Sequence, residues 1–238
     1  RFVDEQGNPV LGTSVGDGNQ YYQPEKWQID NQTDKFTMSQ SFEAKLMRGL
    51  TLKAMGTWYY SEGVYENFTK DFKTNNNGSY NRNRSTSDEF GRDFSQTYNM
   101  VINYNGEVAK NHNIDVMLGT EYYDLKTRGF YAAGSGAPTD DFQDLALTSN
   151  KEGKRSIDSW HSQYRILSYF GRANYNFMSK YLFSAVFRYD GYSSLLGDNR
   201  WGFFPGLSAG WLFYQEDFVK NAIPALSFGK LRLSYGVN

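Results

Sequence analysis

Few residues in this chain are of the types, or at the spacings, that enzymes use for chemistry. Cysteine is absent, which removes thiol nucleophiles and thiolate metal ligands from consideration. The two histidines, His112 and His161, lie far apart in sequence without a partner constellation, so neither is predicted to act in catalysis or metal binding. No nucleophile elbow, phosphate loop or catalytic carboxylate pair is present. We therefore expect no enzymatic activity and no cofactor.

The remaining candidates are residues that could bind a ligand. Asp140, Asp141 and Asp144 carry oxygen ligands suited to Ca²⁺, but they lack the spacing of a calcium loop, which favours a solvated acidic loop and no metal site. Aromatic side chains could stack on sugar rings or on peptide side chains, with packing against neighbouring loops as the alternative. These candidate ligand-binding residues are Tyr21, Tyr22, Trp27, Tyr131 and Trp160.

The charge balance argues against a nucleic-acid partner. The chain has 25 Lys and Arg and 26 Asp and Glu, which gives a formal net charge of −1. The two signs are interspersed along the sequence. A nucleic-acid binder would instead show a basic stripe or patch.

Two alternating segments near the carboxyl end carry the clearest structural pattern. From 181 to 190 the odd positions are aromatic or apolar, whereas Ser184, Arg188 and Asp190 share the opposite face. From 201 to 213 large apolar residues again alternate with Gly and Ser. An apolar face that ends in Tyr or Trp at both margins is typical of the aromatic girdles of a transmembrane β-barrel. The pattern therefore predicts strands that contact the lipid bilayer.

Overall hydrophobicity agrees with strands rather than helices as the membrane-crossing elements. Hydrophobic residues make up 39% of the chain, and its longest uncharged run, from Trp201 to Gln215, is too short for a transmembrane helix. A transmembrane strand needs only about 9–11 residues, of which half face lipid. The same period of two predicts an all-β, antiparallel chain of eight strands, at 35–45, 50–60, 94–104, 113–123, 164–177, 181–190, 201–213 and 230–236.

The predicted connections differ in length in a regular order. Short links are predicted at 47–49, 105–111 and 178–180, and long ones at 62–89 and 130–160. Bacterial outer-membrane barrels have short periplasmic turns and long extracellular loops, so the two long segments are predicted to be extracellular. The segment 215–226, with a helical turn predicted at Asp217–Lys220, is the longest link on the periplasmic side.

The motifs around these strands resemble those of the SusC/RagA family of TonB-dependent outer-membrane transporters. GRANYNFMSKYLFSAVFRYDGYSSLLGDNRWGFFPGLSAGW, then QEDF, then LRLSYGVN stand here in the family's order, and with weaker upstream matches the resemblance covers roughly two thirds of the chain. The residues that carry the signature are Arg188, Asp190, Gly191, Asn199, Arg200, Trp201, Gly202, Phe203, Pro205, Gly210 and Trp211.

The resemblance implies a fold, partners and a location. Residues 1–238 would be a segment of the β-barrel domain, within a larger barrel of about 22 strands, without its plug, signal peptide or TonB-contacting segment. A SusD-like surface lipoprotein would cap the barrel, and the TonB complex would act through the plug and the N-terminal segment. The protein would lie in the bacterial outer membrane and import oligosaccharides or peptides.

Two other readings of the pattern remain open at this point. A passive porin or a small outer-membrane adhesin would close as a barrel at eight strands. A soluble β-sandwich binding module would require the aromatic faces to pack on each other. Neither alternative requires an energised partner.

Overall fold

The chain forms one large antiparallel sheet and one small one. A computed structural model describes residues 3–11, 19–74 and 78–237, so part of the predicted loop 62–89 lies outside the described residues. Eight strands are hydrogen-bonded in the order β1-β2-β5-β6-β7-β8-β9-β10, and β3 pairs with β4. The strands are β1 Trp27–Met47, β2 Leu50–Thr69, β3 Phe72–Lys73, β4 Tyr80–Asn81, β5 Ser85–Ala109, β6 His112–Ser135, β7 Arg155–Phe177, β8 Tyr181–Tyr192, β9 Trp201–Trp211 and β10 Leu231–Gly236.

Helices occur only as short pieces between strands in the described part of the chain. The α-helices are α1 Gln23–Lys26 and α2 Asp217–Ala222, and 3₁₀ turns lie at Gln20–Tyr22, Leu145–Leu147, Gly197–Arg200 and Phe213–Gln215. Helix α2 confirms the predicted helical turn. Within residues 3–11, 19–74 and 78–237, no helix has the length and apolarity needed to cross a membrane.

Contacts between Cα atoms divide the chain into two compact units. Unit 1 comprises Arg1–Phe36, Tyr60–Phe94 and Lys126–Ser162. Unit 2 comprises Thr37–Tyr59, Ser95–Leu125 and Gln163–Asn238. Strands β1, β2, β5, β6 and β7 therefore contribute residues to both units, whereas β8, β9 and β10 belong to unit 2 alone.

Most strands are much longer than the sequence pattern predicts. Strand β5 has 25 residues where 11 were predicted, and the predicted link at 105–111 is wrong, because β5 runs to Ala109 and β6 begins at His112. The predicted long loops shrink to 70–84 and 136–154. The hydrophobic alternation ends where one face stops being apolar, but backbone pairing continues through polar residues. Periodicity therefore marks the apolar band of a strand and not its ends.

The predicted end of the strand 201–213 is also wrong. Strand β9 ends at Trp211, and Phe213 begins a 3₁₀ turn in which the Gln215 N–H donates to the Leu212 carbonyl. The chain leaves the sheet here because the backbone of 212–216 closes turn hydrogen bonds on itself. The next carboxylate, Glu216, then reaches back to the ends of two strands.

The register of β7, β8 and β9 confirms the predicted division into two faces. Tyr169 lies opposite Tyr189, which lies opposite Phe203, and at the other end Phe177, Tyr181 and Trp211 form one row. Arg188 and Asp190 are on the other face. Large apolar side chains of the first face are exposed, as for Leu207 at 62%. Since the eight strands form one sheet with its aromatic side uncovered in the described residues, the β-sandwich reading is wrong.

Glu216 fastens the connection after β9 to the sheet. Its carboxylate accepts hydrogen bonds from the Tyr181 hydroxyl at 2.7 Å, the Lys180 ammonium at 3.0 Å and the Trp211 indole at 3.1 Å. These three bonds, that of Tyr181 first, lower the pKa of Glu216 from 4.5 to about 2. One side chain thus joins the β7–β8 turn, the end of β9 and the start of α2.

This anchor predicts a local dependence on pH. Because the folded pKa is depressed, the Glu216 carboxylate stabilises the segment fully above pH 4.5, and this contribution is lost as pH falls from 4.5 to about 2. The protection factors of residues 212–226 in the full-length protein, which compare each exchange rate with the intrinsic rate at the same pH, should fall across that window. In Glu216→Gln these protection factors should already be lower at pH 7, with no further step in the window.

Asp217 provides the matched control. Its carboxylate is 91% exposed and lies 4.0 Å from the Lys220 ammonium, so Asp217→Asn should leave exchange at 212–226 unchanged. Equal acceleration in both variants would contradict a specific anchoring role for Glu216.

Candidate functional site

Arg188 organises a polar cluster on the face of the sheet opposite the aromatic rows. Its guanidinium donates to Asp190 at 2.8 Å, to the Ser168 hydroxyl at 2.9 Å and to Glu121 at 3.4 Å. The strand period explains the arrangement, because Arg188 and Asp190 are two positions apart on β8 and Ser168 lies directly opposite Asp190. The Arg188 guanidinium also lies 5.7 Å from the Phe170 ring. The cluster therefore draws residues from β6, β7 and β8.

A second cluster, with residues from β5, β6 and β7, centres on Asp115. Its carboxylate accepts from Asn174 at 3.0 Å, from Asn105 at 3.3 Å and from Arg172 at 3.4 Å. A cavity of about 440 Å³ opens beside it, and its wall includes Lys230 and Arg232. Both clusters present donors, acceptors and charges of each sign. Such a face can bind water and polar solutes.

The signature glycine at 191 has a steric reason. Gly191 lies opposite Trp201 in the register, and a Cβ atom at this position would come within 2.7 Å of the Trp201 ring. The Trp201 ring stacks on Tyr189 with centroids 4.7 Å apart. Glycine here allows the indole to lie flat across β8. The row of aromatic side chains at this end of β8 depends on the close contact between Trp201 and Gly191.

The other signature residues are spread along both faces of β9 and its preceding turn. Gly202 lies opposite Asp190, where a Cβ would meet the Phe204 ring at 2.7 Å, and Gly210 lies opposite Leu182 with room for a Cβ. Pro205 lies opposite Phe187, and its carbonyl accepts the Val237 N–H. Phe203 and Trp211 belong to the aromatic rows. Asn199 and Arg200 are in the 3₁₀ turn, where Arg200 donates to the Leu195 carbonyl.

A salt-bridge network holds the connections of unit 1 together. Arg84 donates to Asp140 at 2.7 Å and to Asp71 at 3.3 Å, and Arg82 donates to Asp71 at 2.8 Å. Although partial burial opposes it, the hydrogen bonds from Arg84 and from the Asp71 N–H hold the pKa of Asp140 below its usual range. Asp140 is thus engaged in joining 136–154 to 70–84. Asp141 accepts from Thr139.

Two of the predicted ligand-binding aromatic residues, Tyr22 and Trp27, pack around the buried Lys26 and do not form an open binding surface. The Lys26 ammonium lies 5.5 Å from the Tyr22 ring centroid and 5.4 Å from that of Trp27, with Phe72 at 5.6 Å. The Tyr22 hydroxyl donates to the Lys73 carbonyl. Cation–π contacts of this kind stabilise a fold by about 0.5–2 kcal/mol, so Tyr22 and Trp27 help to fix α1 against β3.

The structure does not bring all five predicted aromatics into one pocket. Tyr21 is 65% exposed beside Tyr22. Trp160 lies against Gly129, where a Cβ would come within 2.3 Å of its ring. Tyr131 lines a polar cavity with residues of β2, β5 and β7. Their role in ligand binding stays a prediction.

Several polar residues of the two clusters were missed by sequence reasoning. Glu121, Ser168 and Asp115 were not singled out, although each lies on a strand of the expected sheet. Alternation gives the face on which such a residue lies, but the partner across the strands depends on register. Register depends in turn on the length of each turn, and the sequence pattern predicted the β7–β8 turn correctly but made the β5–β6 turn five residues too long.

Similarity to known proteins agrees with the geometry. The chain is 34% identical over 145 residues to the TonB-dependent receptor SusC of Bacteroides thetaiotaomicron. The aligned residues cover 60% of this chain and 14% of SusC. It is 35% identical over 139 residues to the TonB-dependent receptor P26 of Formosa agariphila, covering 57% of this chain and 14% of that protein. The chain thus spans about one seventh of the length of these relatives. No protein-family model matches it.

A solved structure shows the same fold. The RagAB peptide transporter superposes with a TM-score of 0.82 over 97% of this chain and 26% of the transporter chain, at 19% identity. The similar proteins are receptors and transporters, and not enzymes. The chain is thus similar in sequence to TonB-dependent receptors over 57–60% of its length, and its antiparallel eight-stranded sheet has the fold of part of a transporter chain.

Proposed function

We propose that this chain forms part of the wall and the extracellular connections of an outer-membrane importer for oligomeric nutrients. The observation that carries the proposal is the two-sided sheet of β7, β8 and β9. One face is aromatic and exposed, and the other holds the Arg188 and Asp115 clusters. A wall between lipid and an aqueous lumen requires these two properties on opposite faces of one layer.

The spacing of the aromatic rows fits a bilayer. Eight residues separate the row at Tyr181 from the row at Tyr189, which corresponds to about 26 Å along an extended strand. The apolar band of an outer-membrane barrel is about 25 Å tall, and strand tilt places the girdle rings inside its margins. Large side chains such as Phe183 and Phe187 lie between the rows. Lipid is the solvent that such exposed apolar surface suits.

The order of short and long connections supports the sidedness. Strands β1–β2, β5–β6 and β7–β8 are joined by two or three residues, whereas β2–β5 and β6–β7 are joined by 70–84 and 136–154. The long connections belong on the extracellular side in this class of barrel. The segment 212–230, with α2, is then the one long periplasmic connection of the described chain.

The full-length protein would act with partners. A SusD-like lipoprotein would cover the extracellular side, and TonB would supply energy through the plug. Support for the first comes from the RagAB peptide transporter and for the second from relatives named as TonB-dependent receptors. Residues 1–238 would contribute binding and passage, with no covalent step.

The two faces of β8 predict unequal costs for an added charge. Phe187→Arg places a cation among lipid chains, where arginine costs about 2–4 kcal/mol near the midplane, whereas Ser184→Arg places it on the polar face beside Asn174 and Ser208. Phe187→Arg should therefore lower the thermal midpoint of the full-length protein by more than Ser184→Arg does. It should also cause the larger loss of folded protein from outer membranes. Equal losses would show that the faces are wrongly assigned.

Sidedness predicts which connections reagents can reach on intact cells. A cysteine replacing Lys151, in the 136–154 connection, should react with an impermeant maleimide, and one replacing Lys110, in the β5–β6 turn, should react only after the outer membrane is permeabilised. Both lysines are exposed, which makes them a matched pair. Labelling at 110 with silence at 151 on intact cells would reverse the topology.

Energised import predicts a separation of binding from uptake. In cells whose growth on an oligosaccharide or peptide requires this gene, deletion of TonB should abolish growth on that compound while leaving its surface binding intact. A lipoprotein should copurify with the barrel from the native membrane. Uptake that persists without TonB and rises linearly with external concentration would identify a passive channel and contradict the proposal.

A further inference from the structure

A polar pocket lies wholly within unit 1. Its volume is about 400 Å³, within the range of small-molecule sites. Four neighbouring strands supply its polar wall: Asn67 and Thr69 from β2, Ser85 and Ser87 from β5, Tyr131 from β6 and Ser156 from β7. Tyr131 is one of the candidate ligand-binding residues predicted from the sequence.

Strand alternation explains why so many polar groups meet here. Seven of the nine lining residues from β2, β5 and β6 are odd-numbered, the exceptions being Thr86 and Gly134, and side chains two positions apart on a strand share a face. On β6 the odd positions include Asp115 and Glu121, and on β7 the even positions include Arg172 and Ser168. Most of the pocket residues on these strands therefore have the parity of the polar face and not of the aromatic rows.

The wall offers hydrogen bonds of both kinds. Serine, threonine and tyrosine hydroxyls each donate one hydrogen bond and accept others. The Oδ1 atom of Asn67 is buried and has no hydrogen-bond partner among the described residues. Rotation about the terminal torsion of an asparagine is soft, so this acceptor can turn towards a donor on a ligand. The Tyr131 ring adds an apolar surface.

The charge of the pocket departs from that of its surroundings. The ranges of unit 1 contain 17 acidic and 13 basic residues, yet no Asp or Glu lines this pocket within the described chain. Two cations do line it. The Arg155 guanidinium is committed to Thr148 and to the Ala146 carbonyl, which leaves the Lys154 ammonium, on an exposed residue, as the charge available to a ligand. The pocket thus suits a ligand that is neutral or acidic.

We propose that this pocket binds one saccharide unit of an oligosaccharide, through its hydroxyl groups, at the extracellular end of the barrel wall. A sugar unit matches the wall because its hydroxyls also both donate and accept, and its ring face can lie on Tyr131. Neutral and acidic sugars share this chemistry, and an acidic substituent would reach Lys154. The inference rests on the proposed import function, for which it names the ligand class and the residues that select it.

Binding to the purified full-length protein tests the inference apart from transport. The probes are an array of neutral and uronic-acid oligosaccharides of two to eight units and an array of peptides of similar mass. The wild-type protein should retain at least one oligosaccharide. Ser87→Trp, which fills the pocket, should weaken that binding by about tenfold or more. Ser159→Trp, on an exposed position of β7 that does not line the pocket, is the matched control and should change it less than twofold.

Further variants keep the test decisive. Tyr131→Ala removes the ring without adding bulk and should also weaken binding, which covers the case in which Ser87→Trp does not fold. Lys154→Gln should weaken acidic probes only, which distinguishes the two kinds of sugar. Retention of no oligosaccharide, or of peptides alone with loss in Ser87→Trp, would overturn the saccharide assignment. Because binding needs no TonB, failure of the import proposal would appear separately, as unenergised uptake with binding intact.

Discussion

Backbone pairing between neighbouring strands is the constraint on which the rest of this structure depends. In lipid, every unpaired N–H or C=O group costs several kcal/mol, so a membrane-crossing strand must be hydrogen-bonded along its whole length. The pairing of β7, β8 and β9 satisfies this requirement for twelve and eleven consecutive residue pairs. Once pairing fixes the register, the period of two assigns each side chain to lipid or to the polar side, and a slip of one residue would exchange the two faces.

The motif in β8 and β9 that resembles the SusC/RagA signature follows from this constraint. Arg188 and Asp190 lie on the same face because they are two positions apart, and that face is the polar one. There Arg188 also donates a hydrogen bond to Ser168 on the neighbouring strand. On the opposite face Gly191 is small because Trp201 lies across it. The Arg188 cluster and the aromatic margin are therefore the two sides of one register. A substitution that shifts the register damages both.

Sequence reasoning predicted the chemistry of the faces better than the extent of the elements. The eight strands of the main sheet, their antiparallel order and the membership of both faces in β7, β8 and β9 were predicted, since each depends on period-two alternation. The ends of β2, β5, β6 and β7 next to the long connections were predicted as loops, because polar and apolar residues do not alternate there with a period of two. Asp115, Glu121 and the pocket at Tyr131 depend on contacts across strands, which register alone determines.

A scan of side-chain environment along β8 tests the central claim most directly. Spin labels placed singly at each position from 181 to 190 of the full-length protein in bilayers report exposure to oxygen, which partitions into lipid, and to a polar nickel complex, which does not. Odd positions such as 183 and 187 should be oxygen-accessible, and even positions such as 184 and 188 should favour the polar reagent. Accessibility that lacks this period of two, or that shows it with the opposite phase, would contradict a wall between lipid and a polar lumen.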